Sequence, residues 1–400
     1  MHRGVDLESP ASVEDPAGYF GRARAAGPVQ WSDAQRGWVV LSHAEVEAAF
    51  RDDKRLSADR SRGFQRLMEG RSESLQRAGE LLGTWMNFRD APVQTRLRQP
   101  VKGAFTLRAV GELEPSIRSV VAGVMDEFDA EVVDLAHAFA RPIPALVIGA
   151  IMGVPPGERE HFQAWSHDLA RLVFSTEPGM TPDEAIGEAS DEFIAFFGEL
   201  IERERREPSG SLLTTIVHET GHELSEFELI GACTLLLFAG HETTTTLIGN
   251  ALGLLLERED LLRELRANPA LDETAVEEFM RAVGPARAMI RKVSVEHERG
   301  GRSLERGQRL YLCIAAANHD EQVFHEPGRI NLARDPNPHL GFGWGPHFCL
   351  GANLARLEAR IALRMLLDRF SAIEPEGPLP ELEGSVVGFG RRPLHARLNA

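Results

Sequence analysis

The stretch FGWGPHFCLG, Phe342–Gly351, decides how the rest of the chain is read. It holds Cys349, one of three cysteines in 400 residues, with three glycines around it and His347 two residues before it. A helical run, ANLARLEARIALRMLLDRF, follows directly. Glycine reaches backbone conformations that side chains forbid, so this loop can wrap a cysteine closely and turn amide N–H groups toward its sulfur. The partial positive charge at the start of the following helix adds to that field. Both effects favour thiolate over thiol, and a lone thiolate held this way suits axial ligation of haem iron. A buried structural cysteine beside a turn would fit the same ten residues, so the rest of the chain has to decide.

Composition narrows the classes. The chain carries 60 acidic against 44 basic residues, a formal net charge of −16. That argues against a general nucleic-acid binder and against an anionic membrane surface. Cys233, Cys313 and Cys349 are scattered, with no CxxC pair, which excludes a disulfide framework or a zinc site and suits a reducing compartment. The start, MHRGVDLESPASVEDP, lacks the apolar core of a signal peptide. The run PIPALVIGAIMGVPP, Pro142–Pro156, is too short to span a bilayer. The expectation is a cytoplasmic protein without a membrane anchor.

Along the chain, GPVQW and GWVVLS (Gly37–Ser42) read as two paired strands and HAEVEAAFRD as a short helix. Residues 60–83 are polar and irregular, a long loop or weak helix. Helical periodicity then dominates: Leu113–Phe128, Val133–Phe139, Pro144–Met152, Glu158–Val173, Pro182–Arg206, Leu212–Glu219, Glu226–Leu256, Leu261–Asn268 and Leu271–Ala282. Asp183, Ser225 and Asp272 are helix starts. Strands return at Ala288–Glu298 and Arg309–Leu312, Gly300–Gly301 signals a hairpin turn, and the tail from Pro375 suggests a final small sheet. The expected fold is mainly α with small β-sheets, with residues 1–400 forming a single domain.

Three further constellations carry chemistry. LLLFAGHETTTTLIGNALGLLL, Leu235–Leu256, is apolar on both flanks, so it should cross the core. Its centre nevertheless holds Gly240, Glu242 and Thr243–Thr246. Glycine and threonine are weak helix formers, and a buried carboxylate is costly without a use. A solvated stripe is the plain reading of these residues. Glu278 and Arg281 lie three apart on one helical face, which by itself describes an ordinary surface ion pair. Asp90–Arg108 carries Arg96, Arg98, Lys102 and Arg108 with no acid after Asp90, either a solvated face or an anion site.

Together these residues resemble a family. FGWGPHFCLG matches the haem-binding signature FxxGxHxCxG of bacterial cytochrome P450 enzymes, AGHETT (Ala239–Thr244) resembles their oxygen-activating motif, Glu278 to Arg281 matches ExxR, and AANHDEQVFHEPGRINLARDPNPHLGFG resembles the meander before the cysteine loop. The likeness runs from about residue 10 to the end, with the motifs in the family's order and spacing. It implies the P450 fold, with haem b between the long central helix and the proximal cysteine-loop helix, and Cys349 as its thiolate ligand. Phe342 would shield the sulfur, and amides near Gly351 would tune it. Arg98, Arg291 and His347 would hold the propionates, while Ala239 and Gly240 would lie against the haem. Glu278, Arg281 and Arg329 would form a buried supporting triad, and Glu242 and Thr243 would deliver protons during dioxygen activation.

The resemblance also implies a substrate pocket drawn from Trp85, Met86, Phe174, Leu236, Ala288, Met289, Ile290, Val387 and Phe389, suited to a medium-sized hydrophobic molecule of terpenoid, steroid, polyketide or aromatic type. Arg287 is read as facing solvent. Pro100 should kink or end its helix. With no flavin or iron–sulfur segment in the sequence, electrons would come from a separate ferredoxin or flavodoxin-type donor, and from NAD(P)H only indirectly. The donor would dock on a basic face made by Arg96, Lys102, Arg108, Arg356 and Arg360. A monomer is expected. A haem-thiolate peroxygenase and a non-catalytic haem sensor or carrier are the alternatives, and the intact Glu242–Thr243 pair argues against both.

Overall fold

The computed structural model describes residues 4–158, 173, 184–220, 223–381, 390 and 393–399. The chain divides into two compact units, Met1–Ser57 with Arg118–Ile143 and Thr243–Ala400, and Ala58–Ile117 with Pro144–Glu242.

Among the described residues all the strands belong to the first unit. They are β1 (Val29–Ser32), β2 (Gly37–Val40), β3 (Leu56–Ser57), β4 (Val132–Asp134), β5 (Ala288–Val293), β6 (His297–Arg299), β7 (Arg302–Leu304), β8 (Arg309–Cys313), β9 (Ala372–Pro375) and β10 (His395–Asn399). The main sheet has the order β1-β2-β8-β5-β3. Its β1–β2 hairpin pairs Val29 with Val40, β8 runs parallel to β2, and β5 runs antiparallel to β8 with Met289 opposite Leu312. One face buries Val29, Val40, Leu310 and Leu312, and the other Val39, Leu41, Ala288 and Tyr311. Burial on both faces explains the unbroken apolar runs of β2 and β8. Gly300 and Gly301 have φ of +53° and +73°, as the β6–β7 hairpin turn requires.

The tail does form a small sheet, of order β4-β10-β9. Its third strand comes from Val132–Asp134, which corrects the expected helix Val133–Phe139. The β-branched pair Val132–Val133 joins β10, and only Ala136–Ala140 coils, as a π-helical turn. Asp134 Oδ1 fixes the switch by accepting the N–H groups of Leu394 and Ala136 at 2.8 and 3.1 Å.

In the second unit, residues 60–83 are two helices, Ser61–Met68 and Glu73–Gly83, rather than a loop. Ser61, Phe64 and Met68 share one buried face, while Arg62 and Arg66 point outward. The two helices approach so closely that a Cβ on Gly79 would stand 2.9 Å from Met68 Cγ. The helix Glu184–Arg206 is held on Glu73–Gly83 by Asp191, which takes two bonds from Arg77 at 2.8 Å each and one from the Ser74 hydroxyl. The helix Val93–Lys102 continues two residues past Pro100 before tightening into a 3₁₀ turn at Gly103–Phe105, so the proline does not end it.

The central helix, Glu226–Glu257, runs through the boundary between the units, which falls between Glu242 and Thr243. Ser225 starts it as read. Its hydroxyl accepts the Glu228 N–H at 3.3 Å, and the Glu228 carboxylate accepts the Ser225 N–H at 3.0 Å, a reciprocal capping box. The expected helix Glu158–Val173 and the start at Asp183 lie outside the described residues, apart from Glu158 itself and Val173.

Candidate haem-thiolate site

The cysteine loop is shaped by its own backbone. Gly343 and Gly345 have φ of +68° and +72°, a region closed to most side chains. A Cβ on Gly345 would also meet the Phe50 carbonyl oxygen at 2.8 Å. The Cys349 N–H donates to the Phe342 carbonyl at 2.9 Å and closes the loop. Cys349 is half-buried, and the helix Ala352–Arg369 starts directly after Gly351. Gly351 has φ −86°, which any residue adopts, yet no atom lies within 4 Å of where its Cβ would stand. That open space beside a cysteine suits close approach of a flat ring, as does the near-full burial of the Phe342 ring. Arg291 and His347, two of the three residues assigned to anionic groups, belong to the same unit as the loop, whereas Arg98 belongs to the other.

The ExxR pair lies on the helix Asp272–Val283. Both side chains are fully buried, and Arg281 donates from Nε and Nη2 to Glu278 at 2.8 Å each. Glu278 also accepts from Asn331 N–H at 2.8 Å, Arg334 Nε at 3.0 Å and Asn337 Nδ2 at 3.2 Å. Burial pushes its pKa up, but these donors outweigh that and leave it below its ordinary value. Arg329 is not the third member. Its side chain is 72% exposed and pairs with Glu326, and only its backbone carbonyl joins the network, by accepting from Arg334 and Arg281. The third member is Arg334, with a side chain 10% exposed. ExxR spacing marks two residues of this network, but no local period separates Arg329 from Arg334 in the meander.

On the central helix the four threonines divide. Thr244, Thr245 and Thr246 are buried, while Ala239 and Thr243, four apart on one face, are exposed. Glu242 is partly buried, with Oε1 3.7 Å from His241 Nδ1. The helix therefore carries an exposed threonine next to a partly buried carboxyl, between two buried apolar flanks.

Comparison with known proteins decides what this arrangement belongs to. Residues 180–400 match the family model for cytochrome P450. The chain is 37% identical over 369 residues to cytochrome P450 107B1 of Saccharopolyspora erythraea, covering 90% of this chain and 89% of that one. The chain belongs to the cytochrome P450 family. It is also 36% identical over 372 residues to the vitamin D(3) 25-hydroxylase of Pseudonocardia autotrophica, covering 91% and 89% of the two chains. The crystal structure of P450BioI in complex with an acyl carrier protein ligated to hexadec-9Z-enoic acid superposes with a TM-score of 0.88 at 30% identity, covering 97% of this chain and all of that one. This protein is thus a cytochrome P450 monooxygenase of mainly helical fold, and its cofactor is thiolate-ligated haem.

Several assignments in this P450 change. Trp85 does not line a pocket: it is fully buried, its Nε1 donates to Thr234 Oγ1 at 3.0 Å, and Phe88 and Phe238 cover its ring. Ala288 is also fully buried, in the sheet core, whereas Met289 is 36% exposed. Met86 and Leu236 keep 5% and 7% of their surface. Phe174, Val387 and Phe389 lie outside the described residues. Arg287 points inward rather than to solvent. It donates to the carbonyls of Leu7 and Ser12 at 2.7 and 2.8 Å and to the Ser12 hydroxyl at 2.9 Å, and burial lowers its pKa.

The basic face is largely neutralised within each unit. Arg96 pairs with Glu228, Arg108 with Glu112, Arg356 with Glu277 and Arg360 with Glu273, while Lys102 is exposed. No helix among the described residues is long and apolar enough to cross a membrane.

Proposed function

We propose that this P450 inserts one atom of dioxygen into a medium-sized hydrophobic molecule of terpenoid, steroid, polyketide or aromatic type, by hydroxylation or epoxidation. Electrons come from a separate ferredoxin or flavodoxin-type donor supplied by NAD(P)H. The observation that carries the reading is the exposed Thr243 beside Glu242, on a helix whose next three threonines are buried. Haem bound through a thiolate supplies the oxygen-activating chemistry. Cys349 holds it, with Phe342 and the Gly351 backbone at the sulfur, and Arg98, Arg291 and His347 hold its carboxylates. Thr243 Oγ1 positions and passes a proton at the oxygen site, and Glu242 replenishes it from solvent. The hydrophobic substrate class is supported by the vitamin D hydroxylase among the relatives and by the exposed Met289 beside Ile290. Residues 1–400 as one haem domain, a monomer in the cytoplasm, complete the proposal; the high coverage of P450 chains supports the first point and the scattered cysteines, with no CxxC pair, the last.

The test uses purified haem-loaded protein with ferredoxin and its reductase. A compound library is screened for the spin-state shift, and hits are assayed for coupled turnover. The native protein gives a strongly red-shifted ferrous–CO band that Cys349→Ala abolishes. Thr243→Ala keeps electron consumption but loses product by roughly 10²-fold, the scale of a positioned proton donor. A histidine-type spectrum in the native protein, or unchanged coupling in Thr243→Ala, would overturn the reading.

A further inference from the structure

Next to the Glu278 network lies a second set of contacts, centred on Glu277. The two Glu277 oxygens accept Arg356 Nε at 2.6 Å and Nη2 at 2.9 Å, and Oε2 also takes His339 Nε2 at 2.9 Å. His339 Nδ1 accepts the Gly341 N–H at 3.1 Å, so the ring proton sits on Nε2 and points at the carboxylate. Both partners of Glu277 then meet Phe342. The Arg356 guanidinium lies 4.2 Å from the ring centroid, and the His339 ring lies 5.8 Å from it at 45°. Phe342 in turn accepts the Cys349 N–H through its carbonyl. Burial raises the Glu277 pKa, but hydrogen bonds from His339 and Arg356 and the Arg356 charge bring it down to about 2, so the group is an anion at neutral pH.

We propose that Glu277 is a positioning residue for the haem thiolate: acting through His339 and Arg356, it clamps Phe342 and so fixes the loop that carries Cys349. Three segments meet in this clamp, the helix Asp272–Val283, the end of the meander and the helix Ala352–Arg369. Glu277 orients the Arg356 guanidinium and the His339 imidazole against the Phe342 ring while neutralising the Arg356 charge near the cysteine loop. Second-layer partners of this kind orient a metal ligand and tune its donor strength. The inference rests on the reading of Cys349 as ligand and Phe342 as its shield.

The experiment follows thiolate ligation rather than turnover. Haem-loaded wild type, Glu277→Gln, Glu277→Asp, Phe342→Ala and the Glu277→Gln/Phe342→Ala double variant are compared. The readouts are the rate at which the red-shifted ferrous–CO band decays to the thiol-ligated band, the ferric/ferrous midpoint potential, and the urea midpoint as a separate gauge of folding. Glu277→Gln is expected to speed the decay on the order of tenfold and to move the potential, Glu277→Asp to restore most of both, and Glu277→Gln to add nothing in the Phe342→Ala background. If Glu277→Gln does not fold, Arg356→Lys, which keeps the charge and loses the planar stack, should give the same sign. Wild-type decay and potential in Glu277→Gln would overturn the clamp, as would full additivity with Phe342→Ala. A silent Phe342→Ala would overturn the shield reading itself, and a histidine-type native spectrum the ligation beneath both.

Discussion

Glu358 offers a sharp test of the proximal helix. It lies nine residues after Cys349, is 1% exposed, and its Oε2 has no hydrogen-bond partner among the described residues. Leu354, Leu357, Ile361 and Ala362 of the same helix are buried around it. Burial therefore pushes its pKa well above 4.5, and the folded protein keeps the acid neutral. Below the unfolded pKa, about 4.3, both states are protonated and the group contributes no pH slope. Above it the unfolded chain releases the proton and the folded chain does not. Stability then falls with rising pH by about 1.4 kcal/mol per unit until the folded pKa is passed. Glu358→Gln removes that slope while keeping shape and polarity, and Glu358→Met also removes the orphaned oxygen, whose burial costs about 1–3 kcal/mol. The assay is urea unfolding followed by far-UV circular dichroism at half-unit steps from pH 4.5 to 7.5. Wild type should lose stability relative to Glu358→Gln across this window, and Glu358→Met should be the most stable at pH 7. Parallel pH profiles for wild type and Glu358→Gln would refute a neutral buried acid.

The remaining expectations concern ion pairs. Arg334→Met should destabilise by about 3–5 kcal/mol by leaving buried Glu278 short of a cation, whereas Arg329→Met, at an exposed side chain, should change the urea midpoint by no more than about 0.5 kcal/mol equivalent; equal effects would restore Arg329 to the network. Glu228 is held at about 2, chiefly by the Arg96 hydrogen bond against the opposing effect of burial. Its stabilisation is present above pH ~4.5 and lost as pH falls toward 2. Because Arg96 is 44% exposed, we expect only about 1 kcal/mol after screening, visible as a flatter acid limb in Glu228→Gln that salt erases further; a difference persisting unchanged in high salt would count against the pair.

What could be read from the chain followed periodicity and local chemistry. The long central helix was legible because its apolar flanks and the Ser225–Glu228 cap agree, and the paired strands because both their ends are marked by glycine and charge. The helix Ser61–Met68 was not. Its buried face holds only Ser61, Phe64 and Met68, too few for a clear period, and its partner face depends on Gly79 of the next helix. The segment at Val132–Asp134 became a strand because of β10, more than 250 residues away, which no local window contains. The site shows the same divide. FGWGPHFCLG announces a loop because Gly343 and Gly345 sit at positive φ, which few other residues would tolerate whatever surrounds them. The pocket assignments of Trp85 and Ala288 failed because apolar character says that a residue avoids water, not whether it does so in the core or against a ligand.

The ion pairs carry that point from packing to electrostatics. A sequence reports the sign of each charge but not its partner, so Arg96, Arg108, Arg356 and Arg360 read as one basic face. In the fold, each has an acid within its own unit, and three of those acids, Glu228, Glu277 and Glu273, lie more than 75 residues away in the chain. Pairing leaves short-range hydrogen-bonding character at these sites but cancels most of the long-range field, which is the part that steers an acidic partner from a distance. In a chain of net charge −16, the long-range attraction left for the proposed electron donor would rest on exposed cations such as Lys102 and on contacts made after collision. Arg356 illustrates the change of role: its charge is taken up by Glu277, and what remains available is the flat guanidinium face lying on Phe342. A residue assigned from the sequence to partner docking is thus, in the structure, paired with Glu277 and laid against the Phe342 ring.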